Sequence, residues 1–277
     1  MARSDAVIYI PTYKRTQQYL QKTYYYMPEP FKEITYLVCP PEEIPKHQEY
    51  FPNAKFIEQP SDVKTIAQKR AWLIRQCEKP KFLMIDDDMR FCIRVADPAL
   101  RTKEDPKYLH VQEDINDPRL INFLHEFFDK LDEYAHATIT PRQNSHTVPY
   151  EVKWKELGRA VYALGFQTEV IRNKCELGRI LTREDYDYTL QLLKQGYKNV
   201  IGCDVALNTA AYVGKGGTED ERTLDRANQD ALKLQELHPG LVKLVNREYK
   251  TGTPDRLEPV IQWQKAYEQS KKPQGFF

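Results

Sequence analysis

The chain has 277 residues, of which 41% are hydrophobic and 29% charged, a composition typical of a soluble globular protein. Mean hydropathy is −0.69, no apolar run approaches the roughly 18 residues that a membrane helix needs, and the N-terminal stretch lacks the pattern of a signal peptide. These features predict a cytoplasmic protein. The net charge of +1 gives no support for nucleic-acid binding, although it does not exclude a local basic patch.

The first 88 residues alternate between strand and helix patterns. The apolar stretch 6–11 predicts a strand that ends at a proline, and Thr12 can cap the segment that follows. The further predicted elements are strands at 33–39, 54–59 and 81–85 and helices at 16–27 and 63–79, the second capped by Ser61 or Asp62. Alternation of this kind indicates a parallel α/β sheet.

The rest of the chain has a mixed pattern. The predicted elements are a loop at 94–119, a helix at 118–135, a strand at 136–141, a loop at 141–158, one or two strands at 159–173, a helix at 182–197 capped by Thr182, a strand at 198–212 and a helix at 218–238. We predict one domain over 1–277, with parts at 1–92, 93–250 and a tail at 251–277. The oligomeric state stays open.

The five cysteines are an odd number, widely spaced and without a CxxC pair, which disfavours both a disulfide framework and a zinc site. Buried reduced thiols are therefore expected.

Three consecutive aspartates follow the apolar strand in KFLMIDDDM, residues 81–89. The carboxyl edge of a parallel sheet is where α/β proteins bind ligands, and like charges crowded there call for a cation. Carboxylate oxygens suit Mg²⁺ or Mn²⁺. The period of a strand puts Asp86 and Asp88 on one side and Asp87 on the other. The alternative is a solvated acidic turn.

Taken together, these segments resemble the GT-A glycosyltransferases, which use nucleotide-sugar donors and carry a DxD motif. The matching segments, in the expected order, are IPTYKR, IAQKRAWLI, FLMIDDD and TREDYDYTLQLLKQGY. The resemblance implies an α/β fold of the GT-A, Rossmann-like type: a mostly parallel sheet flanked by helices, with a mixed C-terminal half. More narrowly, the chain is similar to the phage-encoded TET-associated glycosyltransferases, which implies transfer to hydroxymethylated pyrimidines in DNA, in the cytoplasm of the host cell.

The resemblance also implies residue roles on the donor side. Pro11, Thr12, Tyr13 and Arg15 would surround the base and ribose, and an aromatic ring such as Tyr13 can stack on a base. A further set would complete the donor and metal site: Arg70 facing the diphosphate, Asp86 and Asp87 nearer the nucleoside, and Asp88 with Asp86 on Mn²⁺ or Mg²⁺. Ordinary packing for Tyr13 and a solvated helix face for Arg70 are the alternatives, and no third metal ligand is evident.

Glu184 and Asp185 match the family's Glu-Asp pair, in which a carboxylate accepts the proton of the acceptor hydroxyl in inverting members. We favour Asp185 as the base, and inversion against retention stays open. The alternative is that both acids only stabilise the first turn of a helix.

The GKGGT segment, residues 214–218, could embrace a phosphate through backbone amides and Lys215, or be an ordinary loop.

The predicted function is metal-dependent transfer of a hexose or pentose from a nucleotide-diphosphate donor, UDP-linked by preference, to a hydroxyl on DNA. The predicted contacts with DNA phosphates are Arg101, Lys103, Lys107, Arg142, Lys153 and Lys155. Three alternatives remain: a glycosyltransferase with a protein, lipid or small-sugar acceptor, a nucleotidyltransferase, and a binding module without catalysis.

Overall fold

The computed structural model describes residues 3–17, 21–94, 108–110, 115–142, 144, 148–209, 224–247 and 256–271. The strands are β1 (Ala6–Pro11), β2 (Thr35–Cys39), β3 (Lys55–Glu58), β4 (Lys81–Ile85), β5 (Met89–Arg94), β6 (Tyr108–His110), β7 (His136–Pro141), β8 (Trp154–Glu156), β9 (Ala163–Gln167), β10 (Asn199–Thr209), β11 (Val242–Arg247) and β12 (Arg256–Ile261). The helices are α1 (Lys22–Tyr25), α2 (Glu29–Lys32), α3 (Ile44–Tyr50), α4 (Ile66–Gln76), α5 (Pro118–Glu133), α6 (Thr168–Lys174), α7 (Glu184–Lys194), α8 (Leu224–Leu237) and α9 (Trp263–Ser270).

The predicted parallel half is confirmed. Strands β3, β2, β1 and β4 lie side by side in that order and all run parallel. Every residue of β1 and β4 is buried because helices cover both faces of this sheet. The carboxyl ends of β1 and β4 therefore meet at one edge, with Tyr9 paired to Met84.

The second half continues the same sheet with strands of both directions, as the mixed pattern predicted. Strand β9 is antiparallel to both β4 and β7, and β10 pairs in parallel with β7 and antiparallel with β5. The carboxyl ends of β1, β4, β7 and β10 consequently share one edge of the sheet, where the antiparallel β9 begins.

The prediction of one or two strands at 159–173 is wrong in its second part. Strand β9 ends at Gln167, and α6 follows directly. The helix is fixed by tertiary contacts: the Arg172 guanidinium donates hydrogen bonds to the carbonyls of Ile74 and Cys77 at the end of α4. The short apolar stretch in α6 carries too little periodicity to reveal this contact in the sequence.

Two predicted caps are also wrong. Thr65, and neither Ser61 nor Asp62, caps α4, and its hydroxyl accepts from the backbone amide of Gln68 in a capping box. Helix α7 begins after Arg183, and the Thr182 hydroxyl donates to Asp230 Oδ2, so Thr182 does not cap this helix.

Three further predicted elements change. Among the described residues of the predicted helix 16–27, only Lys22–Tyr25 form a helix, α1. The predicted loop at 94–119 includes the short strand β6, paired with β5, and the predicted loop at 141–158 includes β8, paired with β10.

The core lies on both faces of the sheet, since alternate residues of β1 point to opposite sides. Ile8 and Ile10 pack with Phe127 and other residues of α5, while Val7 and Tyr9 belong to the cluster beneath α4, α6 and α7. A third cluster joins α7 to α8, α9 and β11.

All five cysteines are buried and free, as predicted. No helix among the described residues is long and apolar enough to cross a bilayer. The single domain and its proposed parts stay predictions.

Candidate active site

The turn after β1 and the aspartates after β4 lie side by side, because these two strands are neighbours. The Arg15 guanidinium bridges them: its Nη1 lies 2.5 Å from Asp87 Oδ1 and 3.0 Å from Asp88 Oδ2. The side chains of Asp86 and Asp88 are each 29% exposed, whereas that of Asp87 is 8% exposed. Exposure thus alternates along the three aspartates, but β4 ends at Ile85 and the same Arg15 nitrogen contacts both Asp87 and Asp88, so the strand-like placement of Asp87 on the opposite side stays a prediction.

Negative charge is concentrated at this edge. Burial raises the pKa of Asp87 to about 7, with the Arg15 guanidinium acting against it and the Asp88 charge adding to it. Burial, followed by the charge of Asp86, also raises the pKa of Asp88. The aspartates are thus held close together at a cost that an additional cation would relieve.

The backbone of the aspartate segment is held from two sides. The Thr23 amide donates to the Asp87 carbonyl at 3.0 Å, and its hydroxyl donates to the Asp86 carbonyl and accepts from the Met89 amide at 2.9 Å. On the other side, the Asp86 amide donates to the Tyr162 carbonyl at 2.9 Å, and Tyr162 has a φ of +65°. A bulky residue in this region of φ is uncommon, so the surrounding structure fixes the turn.

Arg70 joins the two acidic motifs that the sequence singled out. Its side chain is 7% exposed, Nη1 donates to Glu184 Oε1 at 2.5 Å, and Nη2 donates to Asp86 Oδ1. Burial opposes the charge, but the carboxylates of Asp86 and Glu184 raise the pKa of Arg70. Arg70 therefore holds the aspartate segment against the first turn of α7.

Asp185 lies beside Glu184 in the same turn and forms no ion pair with any described residue. Burial and then the charge of Glu184 raise its pKa to about 6, while Arg70 and Arg159 act in the opposite direction. Its Oδ1 accepts from the Tyr186 amide at 2.9 Å. A carboxyl group with this pKa is ionised near neutral pH and becomes a stronger base than an exposed aspartate.

The segment that leads into α7 is held by α8 and β12. The Thr182 amide and hydroxyl both donate to Asp230 Oδ2 at 2.8 Å. Arg183 has a φ of +64°, and its guanidinium donates to the carbonyls of Ala227 at 2.6 Å and Leu257 at 3.0 Å. These contacts fix the position of the acidic first turn.

A cleft of about 510 Å³ opens between these elements. Its walls come from α4, the aspartate segment, the stretch before β9, the start of α7, and the C-terminal elements α8 and β12. The charged residues that line it are Arg70, Asp86, Arg159, Arg183, Glu184, Asp185 and Arg256. A larger hollow, of about 820 Å³, lies at the amino ends of β2 and β3, at the opposite edge of the sheet, and contains none of these groups.

A family model described as TET-Associated Glycosyltransferase matches residues 6–217. The chain belongs to this family. The predicted resemblance to this family is thereby confirmed. Elements α8, β11, β12 and α9 lie beyond the matched residues, although α8 and β12 form one wall of the cleft.

A solved mannosyltransferase shares the fold. The mannosyltransferase PcManGT of Pyrobaculum calidifontis, solved with GDP-Man and Mn²⁺, is 14% identical with a TM-score of 0.51, over 85% of this chain and 64% of that chain. S. aureus TarS 1-349, solved with UDP-GlcNAc, is 13% identical with a TM-score of 0.49, over 83% and 66%. This chain spans less than two thirds of either of those chains. No curated protein matches it.

Within this family member, the structure brings most of the predicted site residues to one edge. Pro11 and Thr12 are buried, Tyr13 is half-buried, and the Lys14 ammonium lies 4.9 Å from the centre of the Tyr13 ring. Lys14 has a φ of +55°, and its amide donates to both carboxylate oxygens of Glu43, which fixes this turn.

The predicted contacts with DNA lie in different parts of the structure. Arg142 follows β7 at the carboxyl edge, whereas Lys155 pairs with Ile201 in the amino half of β10, away from that edge. Lys153 lies beside Lys155, and its ammonium is 3.9 Å from Asp204. The other predicted DNA contacts, Arg101, Lys103 and Lys107, lie outside the described residues, as does Lys215, which was predicted to bind the donor phosphate.

Sequence reasoning missed three residues of the site: Arg159 and Tyr162, which line the cleft, and Thr23, which holds the backbone of the aspartate segment. None lies in a recognisable motif. A positive φ at tyrosine leaves no trace in the sequence, and the distance along the chain from Arg159 to Asp86 hides their proximity.

Proposed function

We propose that this chain transfers a sugar from a uridine-diphosphate donor to a hydroxymethylated pyrimidine in DNA, with the help of a divalent ion. The observation that carries the proposal is the joining of the two acidic motifs across one cleft by Arg70. One motif handles the donor phosphates and the other activates the acceptor hydroxyl. The acceptor is proposed from membership of the TET-associated family.

The aspartate segment fits a divalent ion. Asp86 and Asp88 are both partly exposed and offer carboxylate oxygens, and a cation would offset the burial and the Asp86 charge that raise the pKa of Asp88. Among the described residues no group of three or more His, Cys, Asp or Glu side chains could hold a metal. The remaining positions of Mn²⁺ or Mg²⁺ would therefore go to diphosphate oxygens and water. The bound ion would offset the charge of the departing diphosphate.

The nucleoside is proposed to lie against the turn after β1. The hydrogen bonds between the Lys14 amide and Glu43 preorganise this turn, and the Tyr13 ring offers a stacking face. Arg15, which already contacts Asp87 and Asp88, would remain between the nucleoside and the metal site.

Asp185 is proposed as the general base. Glu184 is engaged by Arg70, whereas Asp185 forms no ion pair among the described residues and so keeps its carboxylate available. The acceptor oxygen attacks the anomeric carbon, its proton passes to Asp185, and the bond to the nucleoside diphosphate breaks on the opposite face of the sugar. This scheme inverts the anomeric configuration.

The test is transfer to an oligonucleotide that contains hydroxymethylcytosine, measured by mass spectrometry with a panel of nucleotide-diphosphate sugars and Mn²⁺. We expect a hexose or pentose adduct and release of nucleoside diphosphate. Asp185→Asn should abolish the adduct, while Glu169→Gln, which removes an exposed acid from the first turn of α6, should not.

Other products would identify the alternatives. Modification of protein, lipid or small sugars without modification of DNA would replace the proposed acceptor. Release of pyrophosphate would indicate a nucleotidyltransferase. Donor binding without turnover on any acceptor would indicate a binding module.

A further inference from the structure

Arg159 lines the cleft and adds a positive charge that no carboxylate of the described residues pairs with. It is exposed, and its guanidinium carbon lies 5.2 Å from the centre of the Tyr186 ring. It forms no hydrogen bond or ion pair with any other described residue. Stacking on an aromatic face leaves the N–H groups at the rim of a guanidinium free to donate.

The ring beneath Arg159 is held firmly. Tyr186 is 8% exposed, and its ring meets Trp263 of α9 edge-on, with centroids 5.7 Å apart and planes at 88°. Its amide donates to the carboxylate of Asp185 and to the Arg183 carbonyl. The Arg159 guanidinium therefore lies over a ring whose position is fixed, that of Tyr186, the residue after the proposed base Asp185.

The other arginines of the cleft have carboxylate partners. Arg70 contacts Asp86 and Glu184. Arg183 lies 3.6 Å from Glu258, and Arg256 also pairs with Glu258. Among the described arginines of the cleft, Arg159 is therefore the one that has no ion pair with a carboxylate. Its guanidinium can accept an anionic ligand.

The location of Arg159 favours the acceptor over the donor as the source of that anion. The donor diphosphate belongs beside Asp86 and Asp88, at the ends of β1 and β4. Arg159 instead precedes β9 and lies on the side of the cleft where Tyr186 packs against the C-terminal helix α9. Its neighbour in the cleft is Asp185, where the acceptor hydroxyl must lie.

We propose that Arg159 binds a phosphodiester of the acceptor strand next to the nucleotide that receives the sugar, an inference that rests on the proposed DNA acceptor. A planar guanidinium can make paired hydrogen bonds to phosphate oxygens. Phosphate contacts fix the position of a strand without reading its sequence, so Arg159 places the hydroxyl near Asp185. Lys155 of β8 is not placed to do so, because it pairs with the amino half of β10, away from this edge.

The experiment compares the wild-type protein with Arg159→Gln, Arg159→Lys and the control Arg75→Gln. Arg75 is an exposed arginine at the far end of α4, at the opposite edge of the sheet. Transfer is measured to hydroxymethylcytosine in a DNA strand and to the free hydroxymethyl nucleoside. Binding of the same strand in the presence of UDP and Mn²⁺ is measured by fluorescence anisotropy.

For Arg159→Gln we expect the Kd and the KM for the strand to rise about tenfold or more, because the variant loses a charge-assisted hydrogen bond to the phosphate. The KM of the donor and transfer to the free nucleoside should stay at wild-type values. Arg159→Lys should recover part of the strand affinity, and Arg75→Gln should match the wild type. Equal melting temperatures would show that the variants fold.

Three results would overturn the inference. Unchanged strand binding in Arg159→Gln would mean that Arg159 does not contact the strand. A rise in the Kd of UDP would assign Arg159 to the donor diphosphate, and equal losses on strand and nucleoside would assign it a role at the base. A wild-type protein that binds the strand through Arg159 yet transfers no sugar would refute the proposed function and leave this contact standing.

Discussion

Removal of the Arg70 charge tests the link between the two acidic motifs. In Arg70→Gln the neutral amide can bond one carboxylate at most, so either Asp86 or Glu184 loses its partner. The Glu184 side chain is 4% exposed and that of Arg70 is 7% exposed, so little water can replace the lost contact. An uncompensated carboxylate would remain buried.

The expected magnitude has two parts. Loss of one partner of a buried ion pair typically lowers the free energy of unfolding by about 3–5 kcal/mol. We expect a loss in this range when the Arg70 guanidinium, which two carboxylates share, is removed. In addition, the Arg70 charge lowers the pKa of Asp185, which stands at about 6 in the native protein. Loss of one nearby opposite charge should raise that pKa by about 1 unit.

Two assays separate these effects. Urea denaturation gives the change in the free energy of unfolding, and the dependence of kcat/KM on pH gives the apparent pKa of the base. We expect the acidic half-point to move from about 6 to about 7. Arg75→Gln, on the same helix but exposed, serves as the control and should change neither quantity.

A stability loss below about 0.5 kcal/mol, the usual range for surface substitutions, would refute the role of Arg70 as the bridge. An unchanged pH profile with a large stability loss would instead remove Asp185 as the titrating base.

Four further predictions follow from the same structure. In the wild type, kcat/KM should fall as the pH drops through about 6, because Asp185 must be ionised, and Asp185→Asn should lose this acid limb together with the activity. Chelation with EDTA should stop transfer and Mn²⁺ should restore it; persistent activity would speak against the metal. Burial lowers the pKa of His136 and His47 to about 4, so the unfolded state binds more protons than the native state between pH 6.5 and 4. At these two sites the contribution to the free energy of unfolding is therefore largest above pH 6.5 and is lost towards pH 4, about 2–3 kcal/mol for His136 alone, whereas the raised pKa values of Asp87 and Asp185 act in the opposite direction. The difference between the wild type and His136→Gln, from denaturant titrations at several pH values, isolates the histidine contribution; a difference that does not depend on pH would contradict it. Gly202→Ala should cost about 1–3 kcal/mol, because the added Cβ would lie 2.5 Å from the Phe123 ring, and an unchanged melting temperature would contradict this packing.

Much of the first half of the fold was predictable because its signals are local. Apolar strands that end in proline or aspartate alternate with amphipathic helices, and parallel order follows from that alternation. The position of the three aspartates directly after a buried strand likewise follows from the local sequence. Strand β9 and α6 were harder because the contacts that distinguish them, such as that of Arg172 with α4, are made by distant residues.

The candidate site divides in the same way. Residue types and motif order identified the aspartates, the Glu184–Asp185 pair, Arg70 and the turn after β1. The partners of these residues were not predictable: Arg70 reaches Glu184 across 114 positions of the chain, and Thr23 reaches the aspartate backbone across more than 60. Arg159 lies in no motif at all.

The sequence alone determined the family, the sheet edge of the candidate site and the acidic groups that lie there, since each depends on patterns within a few neighbouring residues. Only the tertiary structure decided which cation meets which carboxylate and where a free guanidinium remains. Burial and proximity, which set the charge and pKa of these groups, arise when distant segments pack together.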